Sequence, residues 1–531
     1  MPGNFLPVGY TMIYTVWRRL LVSAGWIGLA VFLWYFRSWN LDIGDGLFCC
    51  KQTIGPLIFP ITLSRAPLAY LLYRFLFFTL YPILDWWVED IIALSSVAAG
   101  LVFYYALYRL VWSSIPEKGL RIFFLLFPGS SMVLNMFCGH IEFYPWTNAL
   151  LMVSVFWAWR TIRDHHSPLL PSTALALATA FHSSAIFYFP ALLVLPFYRK
   201  HRDSFTQTEL RSCLYAAGVT FFLFMVFVLL HRVIFFQFSF TFQIPTFVFF
   251  LLFGILLGAG YYFYPGFRGV EVRDWLAVLI PWFVLFAARS FFQLRAEPLI
   301  EHLPPFREPY DHGAYLYMFF SRYHLYDKTM FHLWLAPFGL VLLVYFSIKY
   351  MHTILKDGWL QFLFQFSIWA LIWSTLFYPQ LRTRDWDLFV SMAIPLNLFA
   401  MYGMYYFFPR SCLKSILSLM IVVHLCISIP VMIRNSAVLT DRGYVTLEYA
   451  PEPVQSRAFL RSLELGTTPL RQENIRAGEA EVRIIPLQRG YQSWDRNLYL
   501  EPGETYRFAP ELEPIDNTIP PEFLEPQEEG N

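Results

Sequence analysis

A chain of 531 residues that is 57% hydrophobic, 20% aromatic and only 14% charged carries more apolar surface than a soluble fold can hide. Its formal charge of +2 is spread over short connections rather than gathered in one patch, which argues against a nucleic-acid partner. Mean hydropathy is +0.48, and apolar runs of membrane-crossing length recur, so the composition points to a polytopic helical membrane protein.

In chain order the apolar runs predict about thirteen transmembrane helices. They fall at 18–36, 90–112, 120–138, 143–160, 168–182, 184–199, 213–232, 246–264, 275–293, 331–350, 360–378, 388–408 and 414–433. The segment 66–83 is apolar but carries Arg74 and several aromatics, and reads as an interfacial or re-entrant helix. The first run is long and is followed by further spans, so it reads as a retained helix and not a cleaved signal. The cysteines Cys49, Cys50, Cys138, Cys213, Cys412 and Cys426 form no CxxC pair and read as small apolar residues in or near the bilayer.

Lys and Arg in the short connections set the orientation. Arg18 and Arg19 precede the first span, and Lys118, Arg121, Arg160, Arg163, Arg199, Lys200 and Arg202 follow later ones. Arg268, Arg273, Lys349, Lys356, Arg410 and Lys414 continue the series on the same, cytoplasmic, side. The acid-containing connections 37–65 with 84–90, 138–142, 294–330 and 379–387 then fall on the opposite face. This predicts a multi-pass protein of the cell membrane with its N-terminus cytoplasmic and its C-terminal region extracytoplasmic.

From about 435 the apolar runs stop, dividing the chain into a membrane domain (1–434), a small all-β domain (435–514) and a disordered tail (515–531). Short alternating runs at 480–486, 497–500 and 505–509 read as strands within a core of 457–512. The turn signals are Gly466-Thr467-Thr468-Pro469, Arg489-Gly490-Tyr491 and Glu501-Pro502-Gly503-Glu504.

Ionisable groups at the ends of spans are functional candidates. Asp42 and Asp45 stand in Leu41-Asp42-Ile43-Gly44-Asp45-Gly46, where the glycines allow a tight turn and Asp45 could take a proton or hold a cation; a solvated loop with an Asx turn is the alternative, foremost for Asp42. Arg65 follows in Leu63-Ser64-Arg65-Ala66-Pro67-Leu68, where Pro67 suits the start of a helix whose N-terminus could face an anion. His140 and Glu142, in a very short connection, could orient a sugar hydroxyl; anchoring at the interface beside Tyr144 and Trp146 explains them equally well. His182 sits at a break between two spans and reads foremost as a satisfied core histidine. Arg322, His324 and Asp327 close the long loop 294–330 among aromatics, a setting for a lipid phosphate. Arg384, Asp385 and Asp387 lie in Arg384-Asp385-Trp386-Asp387-Leu388-Phe389, able to pair with phosphate and orient polar substrate, or to cap the next helix.

Two resemblances follow from these motifs. Leu465–Leu470, Ala477-Gly478-Glu479, Gly490-Tyr491-Gln492 and Leu500–Thr505 resemble a PEGA domain, a small non-catalytic β module of envelope proteins. The departure is Phe459–Glu464, where that family has a strand with an Asp-Gly turn. Residues 15–430 resemble the GT-C superfamily of polytopic glycosyltransferases. That likeness lies in Gly44-Asp45-Gly46, Ser64–Leu68, Gly139–Tyr144, Phe181–Ser184 before Pro190-Ala191-Leu192, and Arg384–Phe389. It implies a polyprenyl-phosphate sugar donor, an envelope glycan, lipid or protein as acceptor, and Asp45 as the catalytic base. Many members carry directly adjacent acids, whereas here Asp42 stands apart, which leaves its role and a divalent cation open. A transporter or flippase of lipid-linked glycans and a structural envelope anchor are the competing classes.

Overall fold

The computed structural model describes residues 8–39, 46–54, 66–198, most of 207–219, 254–300 apart from 257, 322–376, 386–436, and 444–514 apart from 462 and 489. Among them the apolar runs fold as helices as far as Asn435 and as strands from Tyr444 onward. The helices are α1 (Val8–Tyr35), α2 (Gly46–Ile54), α3 (Pro67–Leu84), α4 (Val88–Ser114), α5 (Lys118–Gly129), α6 (Val133–Phe137), α7 (Tyr144–Asp164) and α8 (Leu169–Phe181). They continue with α9 (Val272–Ile300), α10 (Arg322–Leu335), α11 (Gly339–Lys356), α12 (Gly358–Leu376), α13 (Trp386–Phe407) and α14 (Arg410–Asn435).

Five of the described helices, α3, α4, α11, α13 and α14, are long and apolar enough to cross a membrane. The expectation of thirteen spans is met only to that extent, and the differences have local causes. The segment 66–83, expected at the interface, forms one of the five; Pro67 opens it at a position where no N–H is needed. The run 120–138 is two helices, because Pro128-Gly129 ends α5 and the Ser131 hydroxyl bonds the Pro128 carbonyl at 2.8 Å. The run 184–199 is a 3-10 segment and two short helical turns, interrupted around Pro190 and Pro196. The run 331–350 breaks at Ala336-Pro337-Phe338, between α10 and α11. The loop 294–330 is shorter than expected, since α9 runs on to Ile300 and α10 begins at Arg322. Most of 213–232 and the first part of 246–264 lie outside the described residues.

The bundle is built around α13, which is almost wholly buried and touches α5, α6, α7, α10, α11, α12 and α14. Close approach is allowed by small residues: a Cβ at Gly100 of α4 would stand 2.6 Å from the Phe137 Cβ on α6. Buried polar groups tie α14 to the broken α5–α6 segment. The Asn135 amide donates to the Ser428 carbonyl at 3.1 Å, and the Ser428 hydroxyl to the Ser130 carbonyl at 2.9 Å.

The two ends of the bundle carry different contacts. At one end the basic connections meet: Arg163 pairs with Asp357 at 3.5 Å, and Arg410 with Glu117 at 3.4 Å. At the other, the end of α1, the start of α4, residues 138–142, the start of α13 and the end of α14 meet. The Ser38 amide there bonds the Cys138 carbonyl, and the Trp39 amide the Asn435 carbonyl, both at 2.8 Å.

The C-terminal region is a two-sheet sandwich of β1 (Tyr444–Tyr449), β2 (Ser456–Leu460), β3 (Leu463–Thr467), β4 (Leu470–Arg476), β5 (Gly478–Pro486), β6 (Trp494–Leu500) and β7 (Thr505–Phe508). One sheet has the order β3-β2-β5-β6 and is antiparallel; the other is β4-β1-β7, with β1 and β7 parallel. Alternation directs Val445, Leu447, Tyr449, Ala458, Leu460, Val482 and Ile484 inward. The three strands expected at 480–486, 497–500 and 505–509 correspond to β5, β6 and β7. β2 and β3 pair with Phe459 opposite Glu464 and Leu460 opposite Leu463, with no Asp-Gly between them, and Arg461 takes a left-handed φ of 46°. The same apolar core runs from the sandwich into α2, α3 and the start of α4.

Candidate functional site

The acid-rich end concentrates the titratable groups. Gly139 takes φ +54°, and a Cβ there would lie 2.5 Å from the Arg37 Cβ, so glycine allows the chain to turn tightly against α1. The turn carries His140 and Glu142 inward. His140 Nε2–H donates to Asp387 Oδ2 at 3.0 Å, with the two side chains only 2% and 1% exposed. Asp387 sits in the first turn of α13, where its Oδ1 accepts the Leu388 amide at 2.8 Å and complements the helix dipole. The Ser96 hydroxyl of α4 donates to the His140 carbonyl, and the Trp386 ring lies 5.3 Å from the imidazole.

Glu142 is fully buried. Its Oε2 accepts the Phe143 amide at 3.2 Å and lies 3.8 Å from the Cys49 thiol on α2. The Tyr73 hydroxyl of α3 donates to the Glu142 carbonyl at 2.5 Å, and the Tyr73 ring stacks on Phe143. Cys50, the next residue on α2, is buried as well, and that burial pushes its thiol well above the usual range. Such burial disfavours the thiolate.

A second cluster surrounds Asp90 at the start of α4. Arg476 of β4 reaches Oδ1 at 2.8 Å, Arg37 reaches it at 3.2 Å, and the Tyr444 hydroxyl donates to Oδ2 at 2.8 Å. Burial acts to lower the Arg476 pKa, but the carboxylates of Asp90 and Glu89 outweigh it and raise the value. Burial, then Asp90, raises Tyr444, which stays a neutral donor. Glu89, also buried, adds a second acid beside Asp90.

The site residues named from the sequence sort into three groups. His140, Glu142 and Asp387 meet at this end, joining two clusters that are far apart in the chain. His182, half-buried, caps the 3-10 segment: its Nδ1 accepts the Ser184 amide at 3.3 Å, and Tyr144 packs edge-on at 4.6 Å. Asp327 is buried on α10, one turn from the start of that helix and not in a loop. Arg322 and His324 belong to the same helix, with side chains outside the described set. Asp42, Asp45, Arg65, Arg384 and Asp385 lie outside the described residues.

Four further residues shape this end: Asp90, Arg37, Arg476 and Tyr73. The signal for Asp90 was the Glu89-Asp90 pair opening a 27-residue apolar helix. Among the described residues, no group of three or more His, Cys, Asp or Glu side chains is placed to hold a metal ion. Compared with family models, with curated proteins and with solved structures, the chain matches none.

Proposed function

We propose that the protein is a membrane glycosyltransferase that moves a sugar from a polyprenyl-phosphate donor to an envelope glycan, lipid or protein. The observation that supports this most is the gathering of buried acids at one end of an apolar bundle. Glu89 and Asp90, His140 with Glu142, and Asp387 come from three distant segments, under a β module that continues the same core. Buried acids at the ends of spans are candidates for chemistry or binding, and Glu142 and Asp387 are the ones this reading uses.

In this reading the fold is a GT-C-like bundle of about thirteen spans with a PEGA-like module outside the cell membrane and the N-terminus in the cytoplasm. Asp45 removes the proton of an acceptor hydroxyl as its oxygen attacks the anomeric carbon. The bond from that carbon to the phosphate oxygen breaks, the lipid phosphate leaves, and the configuration inverts. Arg384 or Arg322 balances the charge that develops on the phosphate. The enclosed His140–Asp387 pair fixes the start of α13, directly after Arg384 and Asp385 in the chain. Arg65, Glu142, His182, His324 and Asp327 complete the candidate binding set.

A transporter or flippase of lipid-linked glycans is the second reading, favoured by the broken apolar segment Ser183–Tyr198. One experiment separates them: mass spectrometry of envelope glycans and lipid-linked sugars in a deletion strain carrying wild type or Asp45→Asn. Loss of a transferred sugar, restored by wild type and reduced about 10²–10⁴-fold in rate by Asp45→Asn, supports the transferase. Full restoration by Asp45→Asn overturns it.

A further inference from the structure

A small β module at the end of a membrane chain is ordinarily a tethered binding domain that moves against its anchor. Here the seam between module and bundle has the make-up of a protein interior. Cys49, Ala69, Tyr73, Trp87 and Ile91 of the bundle share one buried apolar core with Val445, Leu447, Ile475 and Leu500 of the module. Inside that seam lies Asp90, whose two carboxylate oxygens are approached by three groups. Arg476 and Tyr444 come from the module, and Arg37 from the bundle. Arg476 spans the seam further, donating to the Ser38 carbonyl at 3.2 Å with its guanidinium 4.6 Å from the Trp39 ring centroid. Around it the Trp39 indole donates to the Ala477 carbonyl at 3.4 Å, Asn474 reaches the Asp85 carboxylate at 2.7 Å, and Gln472 the Tyr81 hydroxyl at 3.1 Å.

We propose that the sandwich is a permanently docked roof of the acid-rich end, with Arg476 and Asp90 as a buried ionic latch whose loss releases it. The physical basis is the cost of leaving one partner of such a pair alone. Undocking exposes the shared apolar core, which holds the joined state, and removing one partner of the pair leaves the other charge buried in that state, which favours release. This inference stands apart from the transferase reading, and its test uses no activity.

The test inserts a site-specific protease sequence with Gly/Ser spacers between Ala437 and Tyr444 of the full chain, tagged at the N-terminus. After complete cutting in detergent, confirmed on a denaturing gel, the wild-type module stays with the immobilised bundle through washing and size exclusion. Arg476→Met and Asp90→Asn shorten its retention about 100-fold. Glu473→Gln, at an exposed pair on the same strand, leaves retention unchanged. Arg476→Lys, which keeps the charge, falls between, which guards against a variant that merely misfolds. Release of the wild-type module on cutting overturns the docking, and equal retention by Arg476→Met and Asp90→Asn overturns the latch.

Discussion

The two ends of the bundle hold their charges in opposite ways. At the basic end, Arg410 and Glu117 are 47% and 41% exposed, and Arg163 and Asp357 are 38% and 23% exposed. At the acid-rich end, Arg476 and Asp90 are 1% and 4% exposed, and His140 and Asp387 match them. Exposed pairs gain little because water already solvates each partner, while a buried partner has no substitute once the other is removed. The ion pairs of the basic end are therefore weak in themselves, although Asp357 also caps α12 by accepting the Trp359 and Leu360 amides at 2.9 Å, whereas at the acid-rich end local structure depends on the pairs.

Asp90→Ala breaks that contrast most sharply. It leaves the Arg37 and Arg476 guanidinium groups facing each other without their shared carboxylate. A loss of about 3–5 kcal/mol is expected, read as a fall in the unfolding midpoint of the purified protein in detergent. A shift no larger than that of an exposed pair would remove the distinction between the two ends. Asp387→Ala comes next, since it strips the His140 ring of its acceptor and α13 of an acid in its first turn. The cost is about 1–3 kcal/mol by the same assay, with Asp387→Asn losing less because the amide oxygen still accepts the ring N–H.

Gly139→Ala sharpens the comparison from the backbone side. The substitution meets a left-handed φ and a 2.5 Å approach to the Arg37 Cβ. The turn bearing His140 and Glu142 has to shift, at about 1–3 kcal/mol. Gly119→Ala at the basic end meets the flexible end of Lys414 instead, and the same assay should show a smaller loss.

Much of this arrangement was legible in the sequence, and the limits have physical reasons. Composition and apolar runs indicated a helical membrane protein, because they are summed properties of many residues. His140, Glu142 and Asp387 were identifiable one by one as polar groups at the ends of apolar runs. That His140 meets Asp387 across 247 positions was not, since spacing along the chain does not encode which helix ends are neighbours. The weight of Asp90 was hidden for the same reason: Arg476 lies 386 positions away. The strands β5, β6 and β7 stood out between clear turn signals. β1 alternates as plainly, but it pairs with β4 and β7, neither of them next to it in the chain, so no hairpin marks it. The breaks at Pro128-Gly129 and Pro337 fall at residues that disfavour a helix, yet Pro82, Pro395 and Pro430 sit inside continuous helices, so proline alone does not tell a break from a tolerated position.

The smallest expected effect tests the comparison from its weaker side. Glu117→Gln removes the charge opposite Arg410 while keeping an acceptor for the Tyr405 hydroxyl, which now bonds Oε2 at 2.8 Å. Arg410 keeps its stacking on the Tyr405 ring, 3.6 Å from the centroid, and at 47% exposure water replaces the lost carboxylate. The change should cost at most about 1 kcal/mol and shrink further as salt is raised, because screening acts on exposed pairs far more than on enclosed ones. Asp90→Ala should keep its full effect over the same salt range. If the two variants respond to salt alike, water reaches the Asp90 cluster, and the difference between the ends is one of geometry and not of burial.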